Sequence, residues 1–442
     1  MYNQEYFDKY LEIIKKDEEK YYKDYLKMLD EVSKSNAIYH GEPVPVTYQG
    51  LFYDEKTRDN LGKIADKLMK ITRKVTKRYI EDEDYRKLFD FSPKLEKLIL
   101  HDPGYEIPAP ICRYDIFYNS IDKFKFVEFN TDGSSAMNED NEVGPILLDT
   151  LAMKELSKYY NLENVDLINS WVKASLDIFR RNSSIEKPNI AIVDFLDIGT
   201  PFEFEAFKKA YLNAEVDCEI IDIRDLEYSN GKLHKGDFDI DLVYRRAVTV
   251  EIMDKYEEVQ PFIEAYLDNA FMMLGSFRSQ LMHIKPIFEI LLKDETKAFL
   301  EEDEILFLDR AIPKTYKFES EKDFKKVLEN KDDYILKPID SYASKGIYTG
   351  REHSNEEYEK ILKKILNKGY IYQEYYDMEP LKFVEFDSQG KLKVSDFGVV
   401  LGMFIYDEKF IAPYTRIGKE SLISGARKYY TVPNILVSDL KK

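Results

Sequence analysis

Residues 112–135 of the chain read CRYDIFYNSIDKFKFVEFNTDGSS, and this stretch decides the fold. Polar and apolar residues alternate on both sides of its centre, which is typical of a strand, a turn and a second strand. Antiparallel pairing around a four-residue turn places Asp115 opposite Glu128. The same register places Arg113 opposite Asn130. Because side chains alternate with a period of two, these four polar residues share one face of the predicted hairpin.

The second face of the hairpin is predicted to pack against the core. The turn is assigned to residues 120–123, so that Asn119 lies opposite Phe124. The apolar residues of this face are Tyr114, Ile116, Tyr118, Val127 and Phe129.

The polar face of the hairpin is a candidate magnesium site. Two carboxylates and an amide oxygen at one place suit Mg²⁺, which prefers oxygen ligands and shares its shell with phosphates. Arg113 beside them can pair with a phosphoryl oxygen. Without a cation, Asp115 and Glu128 are expected to repel each other, which raises one carboxyl pKa. A half-buried hairpin with an ordinary polar outer face is the alternative, and the spacing alone leaves both open.

The composition excludes several classes of protein. The 442 residues carry 65 Lys and Arg against 83 Asp and Glu, a net charge of -18, which argues against a protein that neutralises a nucleic-acid backbone. A small nucleotide needs only a few local cations and is not excluded. Two cysteines and five scattered histidines provide neither a disulfide framework nor a Cys-rich zinc site. The oligomeric state cannot be deduced from the sequence.

The polar first twenty residues do not resemble a signal peptide, and no apolar run approaches the roughly 20 residues that span a bilayer. We therefore expect a soluble cytoplasmic protein without a membrane or nucleic-acid partner.

The remaining chain divides by its hydrophobic periodicity. Residues 1–100 and 252–300 favour helices, because apolar residues recur every three or four positions. Buried-strand patterns alternate with a helix between residues 189 and 245, which predicts a small parallel sheet. Strands dominate from about residue 333 to residue 412.

Further candidates for nucleotide chemistry lie outside the hairpin. The chain contains neither a Walker-type nor a Rossmann phosphate motif. Lys337 ends a strand and precedes a loop of small residues, and Lys285 opens a helix. Each pattern also fits an ordinary surface lysine. Arg245 and Arg246 end a predicted parallel strand, where α/β sheets often bind ligands, although a solvated arginine pair is equally compatible.

Together these residues resemble the ATP-grasp carboxylate–amine ligases, specifically the glutathionylspermidine-synthase-like group with a permuted order of elements. That group has Arg-x-Asp on one strand and Glu-x-Asn on the next, matched by Arg113 to Asp115 and Glu128 to Asn130. The later motifs, in order, are matched by Lys285, Lys337-Pro338, Ile371-Tyr372-Gln373 and the segment RIGKESLIS at 416–424. One departure is the phosphate loop, which reads DSYASKG at 340–346 with a single glycine.

The resemblance implies ATP and Mg²⁺ as cofactors and an amide-forming reaction through an acyl phosphate. It assigns Arg113 and Arg416 to catalysis and Asp115, Glu128 and Asn130 to the metal. The implied nucleotide-binding residues are Lys285, Lys337, Ser344, Gln373, Glu374, Leu422 and Ile423. We add, independently of the family, that Arg245 and Arg246 receive a substrate carboxylate.

The expected fold class is α/β (α+β), an ATP-grasp-like ligase. We expect a helical N-terminal region at 1–104, the metal-binding hairpin with an α/β substrate-side domain at 105–280, and ATP-binding lobes at 281–442. Two other functions stay open, an inactive nucleotide-binding sensor or scaffold and an interaction protein whose motifs are coincidental. The sequence names neither the acid nor the amine substrate.

Overall fold

The computed structural model describes residues 4–39, 41–339, 346–377, 379–420, 422–423 and 429–440. The α-helices in this part of the chain are α1 (Gln4–Lys15), α2 (Glu18–Ser33), α3 (Glu55–Glu81), α4 (Glu83–Arg86), α5 (Pro93–Leu100), α6 (Met137–Leu148), α7 (Leu151–Leu156), α8 (Leu167–Asn182), α9 (Pro201–Asn213), α10 (Thr249–Asp254), α11 (Gln260–Leu267), α12 (Gln280–His283), α13 (Ile287–Ile290), α14 (Asp294–Lys297), α15 (Glu302–Ala311), α16 (Glu321–Glu329) and α17 (Asn355–Ile365). None of these helices is long and apolar enough to cross a membrane.

The strands lie mainly in the second half of the chain. They are β1 (Ile38–Tyr39), β2 (Glu42–Pro43), β3 (Leu51–Asp54), β4 (Ile111–Ser120), β5 (Lys123–Asn130), β6 (Tyr160–Glu163), β7 (Ile190–Asp194), β8 (Cys218–Asp222), β9 (Glu227–Ser229), β10 (Lys232–Lys235), β11 (Phe238–Asp239), β12 (Leu242–Arg245), β13 (Met272–Leu274), β14 (Thr315–Lys317), β15 (Tyr334–Pro338), β16 (Tyr348–Thr349), β17 (Tyr370–Glu374), β18 (Leu381–Phe386), β19 (Leu392–Tyr406), β20 (Lys409–Gly418), β21 (Tyr430–Val432) and β22 (Asn434–Asp439).

An antiparallel sheet of six strands holds the hairpin. Its order is β21-β20-β19-β4-β5, and β18 pairs with the first part of the long strand β19. A parallel sheet has the order β13-β12-β7-β8, and an antiparallel sheet the order β14-β17-β15-β16. The mixed α/β class predicted from the sequence is confirmed.

The hairpin has the predicted register near its polar residues but a different one near its tip. Asp115 pairs with Glu128, as predicted. A β-bulge at Val127 then shifts the register by one residue, so that Ile116 pairs with Phe126. Phe124 and Phe126 therefore enter the core, and Val127 is only half-buried, contrary to the predicted apolar face. The turn is also shorter than predicted, since β5 already begins at Lys123.

The parallel sheet has one strand more than the sequence predicted. β7, β8 and β12 match the predicted strands, whereas β13 lies in a region predicted to be helical. β13 has only three residues, which is too short for a period of two to become visible. The order in which the strands are added reverses between β7 and β12, because the chain first adds β8 on one side of β7 and later adds β12 on the other side. All four strands stay parallel.

The domain boundaries at residues 104 and 280 stay a prediction. The hairpin β4–β5 and the C-terminal strands β19 and β20 form one continuous sheet. The hairpin of the second predicted domain therefore shares its sheet with the third.

A buried ion pair fastens the parallel sheet to the loop that follows the hairpin. Arg245, at the end of β12, pairs with Asp132, and both side chains are almost completely buried. The second oxygen of Asp132 accepts a hydrogen bond from the backbone N–H of Thr249 over 2.6 Å. Through these two contacts, the buried Asp132 carboxylate holds the loop after β5 against the end of β12 and the start of α10.

Replacing Asp132 by Ala should destabilise the protein by roughly 3–5 kcal/mol, because it leaves the buried Arg245 without its counter-charge. Urea denaturation followed by circular dichroism measures the loss. The matched control is Lys232→Ala, which removes an exposed ion pair with Asp239 and should cost no more than about 1 kcal/mol. Equal losses in the two variants would contradict a structural role for the buried pair.

Candidate active site

The centre of the site is the Asp115 carboxylate, which lies between two arginines. Arg113 Nε donates to Asp115 Oδ1 over 2.8 Å. Arg416 on β20 donates from Nη2 to Asp115 Oδ2 over 2.7 Å. We call these three residues the arginine clamp. The clamp joins the hairpin to β20 across the intervening strand β19.

A glycine on β19 makes room for the arginine clamp. Gly402 pairs with Asp115. A Cβ atom at Gly402 would lie 2.6 Å from Arg113 Cδ and 2.9 Å from Asp115 Oδ1. Any larger residue would therefore displace the clamp.

The clamp changes the electrostatics expected from the sequence. Burial raises the pKa of Asp115, but the charges of Arg113 and Arg416 outweigh burial and hold this pKa below its usual value. The expected repulsion between Asp115 and Glu128, with a raised pKa, is therefore wrong for Asp115. The sequence argument placed Arg113 beside Asp115 but did not include the effect of arginine charge on the Asp115 pKa, and it did not pair Asp115 with Arg416, which lies 301 residues away in the chain.

Glu128 and Asn130 lie beside the clamp and line a cavity. Lys285 Nζ is 3.8 Å from Glu128 Oε1. Asn130 leaves its buried Nδ2 without a hydrogen-bond partner in the described part of the chain. Among the described residues, no three His, Cys, Asp or Glu side chains form a metal-binding group. These donors could form only part of a Mg²⁺ shell, and nucleotide phosphates would have to complete it.

Lys337 reaches the hairpin through the bulge at Val127. Its Nζ donates to the Val127 carbonyl over 3.0 Å and to Gln373 Oε1 over 2.8 Å. Gln373 in turn donates from Nε2 to Thr315 Oγ1 over 2.9 Å. Burial, opposed by the charge of Glu128, lowers the pKa of Lys337 to about 8. The bulge thus turns a backbone oxygen towards the lysine of the neighbouring sheet.

The other predicted nucleotide-binding residues differ in their placement. Glu374 Oε2 accepts a hydrogen bond from the backbone N–H of Lys314 over 3.2 Å. Ile423 packs against Val400 and Tyr429. Leu422 is half-buried. Ser344 lies outside the described residues, together with the rest of the glycine-poor loop at 340–345.

The two arginines at the end of β12 have different surroundings. Arg245 donates to Asp132 and to the carbonyl oxygens of Gly275 and Ala247, all inside the protein. It therefore has a structural place and not the predicted place at a substrate carboxylate. Arg246 lines the cavity and forms an ion pair with Glu203 over 2.7 Å. Of the two arginines, only Arg246 lines the cavity.

A cavity of about 560 Å³ brings together six of the predicted residues, which are Arg113, Glu128, Asn130, Arg246, Lys285 and Arg416. Of the predicted residues that the structure describes, the lining does not include Asp115, Lys337, Gln373, Glu374, Leu422, Ile423 or Arg245. The cavity extends from the hairpin to the carboxyl ends of β7 and β12, where the strand order of the parallel sheet reverses. Open α/β sheets bind their ligands at this kind of switch point. The cavity therefore joins the polar hairpin face and the substrate-side sheet in one site.

Buried polar atoms without a partner concentrate around this cavity. In the part of the chain that the structure describes, six such atoms belong to residues that line it and have neither a hydrogen bond nor an ion pair. They are Asn130 Nδ2, Thr200 Oγ1, Arg246 Nε, Gln280 Oε1, His283 Nδ1 and Arg416 Nε. Buried polar groups in folded proteins nearly always have partners, so this concentration indicates a ligand site.

Sequence reasoning missed several charged or titratable residues of the cavity, among them Asp194, Glu139 and His283. Asp194 ends strand β7 at the switch point, and burial raises its pKa to about 6. The rule that singled out Arg246 would also have found Asp194. Glu139 and His283 carry no comparable signal, because each lies on a helix and reaches the cavity only through tertiary packing.

Comparisons with known proteins identify the class. Residues 149–412 match the family described as circularly permuted ATP-grasp type 2. The chain therefore belongs to the circularly permuted ATP-grasp type 2 family and to the ATP-grasp ligases, as the sequence predicted. The predicted use of ATP and Mg²⁺ agrees with this family. The matched residues do not include the hairpin or Arg416.

Similar solved structures include a glutathione synthetase-like effector, GSS30, from Globodera pallida in its apo form. It is 12% identical, with 94% of this chain and 96% of that chain covered and a TM-score of 0.55, which shows a common fold. A protein from Methylobacillus flagellatus KT, assigned as a gamma-glutamylcysteine synthetase, is 10% identical over 84% of this chain and 88% of its own, with a TM-score of 0.44. No curated protein sequence matches the chain.

The lowered pKa of Lys337 predicts a pH-dependent stability. Between about pH 8 and its ordinary pKa of 10.5, Lys337 is neutral in the folded protein and protonated in the unfolded one. The unfolded state then binds more protons, so stability relative to Lys337→Met should rise with pH across this window. The rise should be on the order of 3 kcal/mol.

Urea titrations of the nucleotide-free wild type and of Lys337→Met, at several pH values across the window, measure this rise. The exposed Lys368→Met is the matched control. If the free energies of unfolding of the wild type and of Lys337→Met change with pH in parallel, the buried Lys337 does not cause the rise. The same conclusion follows if the wild type shows an equal rise relative to Lys368→Met.

Proposed function

We propose that the protein is an ATP-dependent carboxylate–amine ligase of the glutathionylspermidine-synthase-like type. An acid would attack the γ-phosphate of ATP and become an acyl phosphate, with ADP released. An amine would then displace phosphate and form an amide. The observation that carries this proposal is the cavity, which joins the arginine clamp to the switch point and holds six partnerless buried polar atoms of the described residues.

The arginine clamp supports the proposed phosphoryl transfer. Such a transfer depends on positioning and charge stabilisation more than on covalent chemistry by the protein. Arg113 and Arg416 both line the cavity, whereas Asp115 is buried behind them. We assign Arg113 and Arg416 to the transferred phosphoryl group, with Asp115 fixing their geometry.

The proposed nucleotide subsite lies along β5, the outer strand of the hairpin, which both lysines approach. Lys285 and Lys337 would contact the ATP phosphates, as the family resemblance implies. Gln373 supports this by holding Lys337 in place. Gln373 and Glu374 would present the backbone of β17 to the adenine. Ser344, Leu422 and Ile423 are the remaining nucleotide-binding residues that the resemblance implies.

Glu128 and Asn130 are the proposed protein ligands of Mg²⁺. Their oxygens line the cavity beside Lys285, where nucleotide phosphates would complete the metal shell. When bound, the ion would neutralise phosphate charge. Asp115 stays a proposed ligand, although both its oxygens already accept hydrogen bonds from the arginine clamp.

The acid substrate is assigned to the switch point. Arg246 is almost completely buried and has a partnerless Nε. The N-cap residue of α9, Thr200, makes no side-chain capping hydrogen bond and leaves a buried Oγ1 without a partner in the described chain. A helix N-terminus and a guanidinium both favour a carboxylate.

Phosphate release with ATP, Mg²⁺ and mixtures of acids and amines tests the proposal. Release that requires both an acid and an amine, with a matching amide product by mass spectrometry, is the expected result. Nucleotide binding without any turnover would instead favour the inactive sensor or scaffold, and neither binding nor turnover would refute both.

Glu128→Gln should keep the stability of the free protein within about 0.5 kcal/mol, because Glu128 is partly exposed and Asp115 is already neutralised by the clamp. Its rise in melting temperature with Mg²⁺-ATP should fall sharply, since ligand stabilisation follows affinity. Thermal melts with and without Mg²⁺-ATP measure both effects.

Asp122→Asn, at the exposed tip of the same hairpin, is the matched control and should keep the full ligand-induced shift. An unchanged shift in Glu128→Gln would remove Glu128 from the metal site.

A further inference from the structure

Glu139 is a buried carboxylate of the cavity to which the proposed function gives no role. It lies in the first turn of α6 and is only 7% exposed. Its Oε2 accepts hydrogen bonds from the Tyr414 hydroxyl over 2.5 Å and from Thr431 Oγ1 over 3.0 Å. In the described part of the chain, its Oε1 accepts no hydrogen bond and Glu139 forms no ion pair.

A buried carboxylate of this kind is costly unless a cation or donors compensate it. The two hydrogen bonds fix Oε2 and the orientation of the side chain, while Oε1 has no such role. Burial raises the pKa of Glu139, and the negative charge of Glu203 adds to this rise. The site therefore favours a positively charged partner for Oε1.

Glu139 lies close to the arginines that we assign to the phosphoryl group. The Tyr414 hydroxyl donates to Glu139. The centroid of the Tyr414 ring lies 5.4 Å from the Arg113 guanidinium carbon and 5.9 Å from that of Arg416. Only one side chain separates Glu139 from the proposed site of acyl transfer. Among the other cavity carboxylates, Glu128 lies beside Lys285 and Asp194 lies at the switch point. Glu203 is near enough to act on Glu139, but it is already paired with Arg246.

The charged and titratable groups around Glu139 come from several elements. The groups that interact with it are Arg416 and Tyr414 on β20, Glu203 on α9, Asp140 on α6 itself, Tyr39 on β1 and Tyr429 before β21. Arg416 is the cation in this set, and its Nη2 is already paired with Asp115.

We infer that Glu139 binds the ammonium group of the amine substrate through Oε1 and takes its proton, which makes it the general base of amide formation. This inference rests on the proposed ligase function. It names a primary ammonium as the group recognised beside the arginine clamp. A primary amine is mostly protonated near neutral pH and cannot attack until it loses a proton.

The step balances without a further reactant. One proton moves from the ammonium nitrogen to Oε1, which leaves a neutral amine and a protonated carboxyl. The nitrogen lone pair then forms the C–N bond with the acyl carbon, and the C–O bond to phosphate breaks. Phosphate leaves with that electron pair and takes the second proton of the nitrogen.

Hydroxylamine separates the two half-reactions, because it is largely neutral near pH 7 and needs no base to trap an acyl phosphate. The wild type is first assayed with Mg²⁺-ATP, hydroxylamine and a mixture of free amino acids and dipeptides as acids. Hydroxamate formation identifies the acid. The active acid is then assayed with primary amines, including ethylenediamine and the amino acids.

Glu139→Gln keeps the shape and the acceptor for Tyr414 but removes the base. It should lower kcat for amide formation by roughly a hundredfold or more, as expected for a lost general base. Its hydroxamate formation should stay within a few-fold of the wild type, and its amide formation should recover as the pH rises and free amine accumulates. Glu142→Gln, one turn further along α6 and outside the cavity lining, is the matched control.

Tyr414→Phe gives an independent readout. The Tyr414 hydroxyl lowers the pKa of Glu139. Its removal should therefore move the acid limb of the pH–rate profile for amide formation to higher pH. The acid limb of the pH–rate profile for hydroxamate formation should not move. A purely structural Glu139 would give no such difference between the two nucleophiles.

The outcomes separate the inference from the proposed function. If the wild type forms neither hydroxamate nor amide with any acid, the ligase proposal fails and the inference with it. If the wild type forms both and Glu139→Gln loses both equally, or keeps amide formation, only the role of Glu139 is overturned.

Discussion

The arrangement of the site depends on one buried charge, the Asp115 carboxylate between two guanidinium groups. A carboxylate with almost no exposure is stable only when its charge is matched and its oxygens are hydrogen-bonded, and Arg113 and Arg416 supply both. Since Arg113 lies on the hairpin and Arg416 on β20, the pairing fixes two distant segments in one sheet. Gly402 on the strand between them is the steric condition for this contact. The two guanidinium groups are thereby held at the cavity before any ligand binds.

The bulge at Val127 is the second constraint, because it connects two sheets. In a regular antiparallel pair, alternate residues of the edge strand direct their backbone groups towards the partner strand and away from it, and a bulge leaves its extra residue unpaired. Val127 is the extra residue here, and its carbonyl accepts a hydrogen bond from Lys337, whose ammonium Gln373 also holds. A buried lysine with a lowered pKa is held by neutral acceptors only, so it is poised for an anion of higher charge. The hairpin thus positions groups on both of its sides, the clamp on one and the lysine on the other.

The sequence allowed the polar half of the hairpin to be predicted because alternation sets the face of each side chain and the position assigned to the turn sets the register. Arg113, Asp115, Glu128 and Asn130 lie as the period of two requires, and three of the four parallel strands were visible as short apolar runs. The bulge could not be predicted, since Phe-Lys-Phe-Val-Glu-Phe alternates equally well in either register. Arg416 was found as a motif, but its partner could not be, because contacts between residues this far apart leave no local pattern. Glu139 left no signal at all.

The charges of the cavity explain why those missed residues matter. Around the hairpin, Arg113, Arg416, Lys285 and Lys337 bring four positive charges against Asp115 and Glu128, which suits a polyphosphate with its metal. Towards the switch point, the carboxylates of Asp194, Glu203 and Glu139 outnumber the guanidinium group of Arg246. This excess of negative charge suits an ammonium group beside a substrate carboxylate. One cavity therefore has a cationic region and an acidic region that meet at Tyr414, whose ring faces the arginines while its hydroxyl binds Glu139. An acyl phosphate formed at that boundary would have its phosphate against the arginines and its carbonyl carbon towards the acidic region, which is where an amine must approach.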